Sequence, residues 1–244
     1  MQVMRLNCLT CTKNINTCMI KDYIQQNTGI ALSKQAEEKL ETYYRFLTEE
    51  NAKYNLTAIT EREEVYTKHF ADSMLGSVAV PQNAALCDVG SGAGFPSVPL
   101  KLARSDIRIT IVDSLEKRVG FCKALCDKLG ITADFCHARA EDFAKDNAER
   151  FDVATARAVA PLPVPLEYLA QIVKLGGTVL AYKTDESEAP SAQNACKILG
   201  LQFCESHNFV LPDDSRRCLL VFRKVSHTPD KYPRGQNKPR KQPL

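Results

Sequence analysis

The segment Asp88-Val89-Gly90-Ser91-Gly92-Ala93-Gly94 constrains this chain more than any other feature. It follows a short apolar run, residues 84–89, and precedes a helix signal that begins at about Pro96, a residue type favoured in a first helical turn. Glycines so placed permit positive φ angles and let the backbone approach a ligand closely. A strand, a glycine loop and a helix in this order specify an α/β domain whose ligand lies at the carboxyl edge of a mostly parallel sheet.

The chain after Pro81 keeps that rhythm. Strands are expected at residues 107–112, 133–138, 151–155 and 178–182, the last entered through a turn at Gly176-Gly177. Leu115, Val119, Cys122, Leu125, Cys126 and Leu129 mark an amphipathic helix that Gly130 stops. A helix near residues 191–199 leads to two final strands, about 203–210 and 218–222. Their connection is too short for a crossover helix, so they form an antiparallel hairpin. The expected architecture is a Rossmann-like, mostly parallel seven-stranded sheet.

Residues 19–80 read as a helical extension. Ser33 is a plausible N-cap before Ala36, Leu40, Tyr43, Tyr44 and Leu47, which recur at helical spacing. Thr60 with Glu63 has the form of a capping box opening a second helix through Val65, His69, Phe70 and Met74. Residues 1–18 lack periodicity and are expected to be disordered or to precede a true start at Met19. The core domain is assigned to 81–224. Beyond it, Lys231, Arg234, Lys238, Arg240 and Lys241 with four prolines give 225–244 the character of an extended or disordered basic tail.

Hydrophobic residues make up 44% and charged residues 25% of the 244, ordinary for a domain with a buried core. No apolar stretch reaches the roughly 18–20 residues that span a bilayer, and the start makes a poor signal peptide, so a cytoplasmic protein is expected. Ten cysteines then read as small hydrophobes, among them Cys87, Cys136, Cys204 and Cys218. Cys8 and Cys11 form one C-x-x-C, but no second pair stands at zinc spacing, and no metal is expected.

Asp113 closes the second strand, where an acid can accept hydrogen bonds from ribose hydroxyls. An adenosine-containing cofactor follows, of which two classes compete. A dinucleotide site wants a third glycine at position 95, which is Phe95, and Asp88 would repel a pyrophosphate. S-adenosylmethionine carries a sulfonium and an ammonium group, which a carboxylate beside the loop favours. The chain is therefore read as a methyltransferase, with Asp88, Gly90, Gly92, Gly94, Phe95, Asp113 and Ser114 around the cofactor. A glycine turn with no ligand is the bland alternative.

Residues 88–96 resemble the glucose-inhibited division protein B family, bacterial 16S rRNA guanine-N7 methyltransferases. So do Tyr54-Asn55-Leu56-Thr57, Lys68-His69-Phe70-Ala71-Asp72-Ser73, Asp113-Ser114-Leu115-Glu116-Lys117-Arg118, Arg139-Ala140-Glu141 and Ala156-Arg157-Ala158. The resemblance runs from about Lys21 to the C-terminus. It implies a class I methyltransferase fold, 16S rRNA or the small ribosomal subunit (or its assembly intermediate) as partner, and cofactor contacts at Gly90, Phe95, Ala140, Glu141 and Arg157. Ser97 departs from the family, which often has glycine there.

Guanine N7 offers a lone pair and carries no proton, so its methylation needs no general base, only alignment. Catalytic residues in the narrow sense are then not expected. His69, Asp72, Arg157 and Lys183 are the candidates for positioning. His69 and Asp72 share a helix face and border the substrate mouth or form an internal pair. Glu141 meets the adenine edge or is a surface carboxylate. Arg157 and Lys183 end strands on the ligand-facing edge. Arg104, Arg118, Arg216 and Arg217 extend a basic surface for RNA, while Asp127, Asp134, Glu186 and Glu188 read as solvated charges. A monomer is expected. A methyltransferase for a protein or small molecule, and a nucleotide-binding module without catalysis, remain open.

Overall fold

The computed structural model describes residues 17–157 and 160–244. Cys8 and Cys11, with most of the segment expected to be disordered, lie outside the described residues. Helix α1 (Thr17–Thr28) opens them and buries Ile20 and Ile24 one turn apart. Ser33 caps α2 (Lys34–Tyr54) as expected, its Oγ accepting the Ala36 N–H at 3.1 Å.

The capping box at Thr60 and Glu63 does not form. A single turn, α3 (Arg62–Glu64), starts after Glu61 without a side-chain cap. The chain then winds as a π-helical segment, Val65–Ala71, before α4 (Asp72–Leu75). Wide turns of this kind are rare and concentrate at functional sites; this one carries Lys68 and His69.

The sheet assembles from β1 (Ala85–Val89), β2 (Arg108–Asp113), β3 (Asp134–His137), β4 (Phe151–Arg157), β5 (Val173–Lys183), β6 (Leu201–Val210) and β7 (Arg216–Lys224). Their order is β3-β2-β1-β4-β5-β7-β6. The first five strands are parallel, and β7 runs antiparallel to both β5 and β6. The connecting helices are α5 (Ser97–Ala103), α6 (Glu116–Leu129), α7 (Ala140–Asp146), α8 (Pro163–Ile172) and α9 (Gln193–Leu199). Gly130 ends α6 in the left-handed region, as its position implies. Gly176 and Gly177 do not make a turn before β5 but lie inside it, where the pairing with β4 jumps from Phe151–Val173 to Val153–Thr178.

Two apolar layers flank the sheet. One gathers residues of α7, α8 and α9. The other joins α5 and α6 to the N-terminal helices, with Tyr43 stacked on Phe95 at 5.4 Å. The helical extension thus completes the core of the sheet domain. Cysteines 87, 122, 126, 196 and 218 are buried in these layers, Cys136 is half-buried, and Cys204 is exposed. Cys204 sits on the edge strand at the β6–β7 register shift, in a stretch that is exposed throughout. Among the described residues no helix is long and apolar enough to cross a membrane.

The C-terminal segment is not the free tail its prolines suggest. Lys224 is 1% exposed, with Nζ donating to Ala170 O at 2.8 Å and pairing with Glu149. Tyr232 is buried, and a last helical turn, α10 (Lys238–Lys241), follows. The physical reason is Glu167, a fully buried carboxylate on α8 that requires a cation. Arg234 supplies it through two parallel contacts, Nε to Oε1 at 3.0 Å and Nη2 to Oε2 at 2.7 Å.

Candidate functional site

The glycine loop leaves β1 with Gly90, Gly92 and Gly94 all at positive φ. At Gly94 space is limiting as well, because a Cβ would come within 2.9 Å of Val98 and 3.0 Å of the Tyr43 hydroxyl. Asp113 fixes the loop from the neighbouring strand. Its Oδ2 accepts the Gly92 N–H at 3.0 Å and its Oδ1 the Leu115 N–H at 2.9 Å. Arg118 stands 3.6 Å away, so it serves Asp113 before any RNA.

Asp88 occupies a different place from the one its charge suggested. It is fully buried behind the loop, where Oδ2 accepts both the Ser97 N–H (3.2 Å) and the Ser97 hydroxyl (2.7 Å). Ser97 is the residue that departs from the family pattern, and it is the direct partner of this acid. Burial pushes the Asp88 carboxyl up to about 7, against the pull of Ser97. The folded chain therefore binds this proton more tightly than the unfolded chain. The resulting stability is full below the ordinary carboxylate value and is lost as pH rises through about 7. Relative to Asp88→Asn, the native chain should lose roughly 2–3 kcal/mol between about pH 5 and pH 8. Urea unfolding of both proteins at each pH checks this; parallel curves would place the titration elsewhere.

A cavity of about 390 Å³ opens beside the loop at the carboxyl edge of the sheet, in the range typical of small-molecule sites. Gly90, Asp113, Ser114, Ala140 and Glu141 line it, together with Arg139, Tyr168, Asn237, Arg240 and an apolar set that includes Val112, Leu115, Ala138, Pro165 and Leu169. Asp88, Gly92, Gly94 and Phe95 lie outside this lining and shape the loop from behind. Tyr168 and Asn237 carry no signal of this role in the sequence, and Arg240 reads there only as one cation of a basic tail. Tyr168 looks like core at helical spacing, and the other two belong to the segment read as a tail.

Arg157 lines a second cleft. It follows Ala156 at the end of β4, and successive strand residues point to opposite faces. Ala156 therefore meets the first cavity and Arg157 the second, which also holds Lys68, His69, Asp72, Tyr182, Lys183, Thr184, Glu188 and Arg217. The four positioning candidates thus converge. Arg157 Nη1 donates to Asp72 Oδ2 at 2.9 Å and to Lys68 O at 3.0 Å. Its Nη2 lies 3.1 Å from His69 Nδ1, and its guanidinium sits 5.0 Å above the Phe95 ring.

Because a guanidinium only donates, His69 Nδ1 accepts, and the ring proton is on Nε2, which donates to Thr57 Oγ1 at 2.9 Å. Burial and the Arg157 charge hold His69 down at about 3, so it stays neutral. Burial pushes the Asp72 carboxyl up from its ordinary value while Arg157 and Arg217 oppose the shift. Lys183 ends β5 and pairs with Glu188 at 2.8 Å.

Three surface readings need correction. Glu188 keeps part of its side chain in solvent but is also engaged, pairing with Lys183 and accepting the Leu162 N–H at 2.7 Å. Arg217 faces Asp72 at 3.5 Å inside the cleft. Arg104 lies just before β2, at the opposite edge of the sheet, and is engaged by Asp106 and by the carbonyls of Val80 and Pro81.

A parallel sheet with one antiparallel strand, β7, inserted beside its edge strand β6, and with its cavity at the glycine loop, is the methyltransferase variant of the Rossmann-like class. Solved methyltransferases share this fold. A putative methyltransferase from Bacillus halodurans aligns at TM-score 0.51 and 16% identity over 64% of this chain and 99% of that one. The putative methyltransferase in a complex with the Haloferax volcanii Trm112 activator aligns at 0.54 and 16% over 75% and 98%. A family model described as rRNA small subunit methyltransferase G matches residues 36–216, and the chain belongs to that family. Relatives named Ribosomal RNA small subunit methyltransferase G are 47% identical in Staphylococcus haemolyticus (88% of this chain, 93% of the relative) and 44% identical in Halalkalibacterium halodurans (90% and 95%). The chain is accordingly an S-adenosylmethionine-dependent methyltransferase. The cavity suits that molecule in volume, in its apolar walls and in the carboxylates of Asp113 and Glu141.

Proposed function

We propose that this enzyme transfers a methyl group from S-adenosylmethionine to N7 of a guanine in 16S rRNA of the small ribosomal subunit. The single observation that carries this reading is the state of the bases in the second cleft. Asp72 is held by Arg157, His69 Nδ1 takes an Arg157 N–H, and Glu188 is held by Lys183. A cleft whose bases are all engaged by cations suits an acceptor atom that has a lone pair and no proton to lose. Methylation of a ribose hydroxyl or an exocyclic amine must shed a proton. Lys68, Arg157, Lys183 and Arg217 gather at this cleft, Lys68 shared with Glu64 and Asp213, and such a cluster of cations also suits RNA phosphates.

In this mechanism S-adenosylmethionine supplies a methyl group on a sulfonium. Asp113 would hold the ribose hydroxyls, Gly90 would let the backbone approach, and Glu141 with Ala140 would border the adenine. Arg157, braced by Asp72 and His69 on the Phe95 ring, aligns the guanine on the far side of the β4 end. Such alignment is worth on the order of 7–11 kcal/mol of the barrier. The enzyme is further read as a monomer that acts in the cytoplasm without a metal. Small subunits from a strain lacking the protein, incubated with labelled donor, should acquire 7-methylguanosine, recognised by scission of the strand at the site where its labile glycosidic bond releases the base. A label on a ribose or an exocyclic amine would overturn the N7 assignment, and labelling of free metabolites the substrate class.

A further inference from the structure

We infer that the C-terminal strap, residues 225–244, forms a wall of the methyl-donor cavity, and that Arg240 is the residue by which it holds the nucleoside part of the donor. The inference rests on the reading of that cavity as the donor site, and it goes beyond the contacts that the sequence motifs supply.

The strap's course is set by three anchors. Lys224 and Thr228 donate to Ala170 O on α8 at 2.8 and 3.3 Å. Tyr232 is buried beyond them. Arg234 then locks onto Glu167 with its guanidinium and also through its own backbone N–H, 2.7 Å from Oε1. The same guanidinium reaches forward to Gln242 O at 2.9 Å, tying the two ends of the last loop together. What this loop presents to the cavity is Asn237 and Arg240.

The position along the cavity follows from the sheet. Gly90 lies after β1, Asp113 after β2, and Ala140 with Glu141 after β3, in the lateral order of those strands. A donor with its ribose at Asp113 and its amino-acid arm at Gly90 places its purine towards Ala140 and Glu141. Helix α8 packs on α7 on that side, and the strap runs over α8. A guanidinium there can lie flat on a purine face, a planar stacking contact that a lysine ammonium does not reproduce. The strap's remaining cations, Lys231, Lys238 and Lys241, are exposed and stay available to phosphates. Removing residues 229–244 should therefore weaken donor binding as well as contacts to phosphates.

Calorimetric titration of the full chain with S-adenosylhomocysteine and with adenosine tests the assignment. Arg240→Ala should weaken both ligands by about 10-fold, the loss of one charge-assisted contact, and Arg240→Lys should recover little of it. Glu167→Gln touches neither ligand, yet it should also weaken both by loosening the Arg234 anchor. Thermal melting of each variant without ligand measures what the fold itself loses, and each loss of affinity should persist at temperatures where the variant is fully folded. Unchanged affinity in Arg240→Ala would overturn the inference. So would a loss confined to RNA binding with a shallower salt slope, which would make Arg240 a phosphate contact. A native chain that binds neither ligand would instead remove the donor assignment of the cavity itself.

Discussion

Arg157→Ala is expected to lower kcat/KM for methylation of the small subunit by at least about 100-fold, the cost of about 1 Å of misalignment in a positioned reaction. The same variant should lose about 3–5 kcal/mol of unfolding free energy, because truncating one member of a buried ion pair strands the other. Asp72 is buried and Arg157 nearly so, with side chains 8% and 13% exposed, so solvent does little to screen them. Arg217, 3.5 Å from the other carboxylate oxygen, remains to share the charge and sets the loss at the lower end. The Arg157→Ala/Asp72→Asn double variant separates the two effects. Removing the stranded charge should restore much of the stability, as seen in urea unfolding, and none of the activity. A double variant that recovered both would reduce the pair to a clip between α4 and β4. Arg157→Lys keeps the charge but loses the fork that spans Asp72, Lys68 O and His69, and should remain strongly impaired.

The parts of this molecule legible in the sequence are those written in local rules. The glycine loop, the Ser33 cap and the Gly130 stop each depend on a few consecutive residues. The antiparallel end of the sheet follows from the length of one connection. Arg157 and Lys183 could be nominated because a strand's carboxyl end faces the ligand in any sheet of this kind. What joins them could not be read. Arg157 and Asp72 are 85 positions apart, and no periodicity encodes their meeting. Glu188 and Arg217 look like ordinary surface charges until the fold brings each to a partner. The strap illustrates the same limit: its prolines and lysines describe a disordered tail, and only the buried Glu167 on α8 explains why it docks. Asp88 was misplaced for a related reason. Its charge was visible, but its depth was not, and depth decides whether a carboxyl meets a ligand or keeps a proton.

Asp113 combines both kinds of information, and its replacement should have the largest effect on donor binding. It ends β2 at the cavity wall, and it also accepts the N–H groups of Gly92 and Leu115. Asp113→Ala removes a charged acceptor from the ribose hydroxyls, worth about 1.5–3 kcal/mol, so S-adenosylmethionine affinity should fall roughly 10- to 150-fold. Leaving two loop N–H groups without their acceptor adds a stability loss of about 1–3 kcal/mol for each one that water does not reach. Asp113→Asn keeps one oxygen for the loop and should lose affinity with a smaller change in melting temperature. The chemistry of the contact can be read from a second ligand. S-adenosylhomocysteine shares the ribose but lacks the sulfonium charge, so a ribose contact predicts the same fold-loss for both. A loss much greater for S-adenosylmethionine would mean that Asp113 acts through its field on the sulfonium. Calorimetry with unchanged affinity for either ligand would remove Asp113 from the donor site, leaving it only the task of shaping the loop.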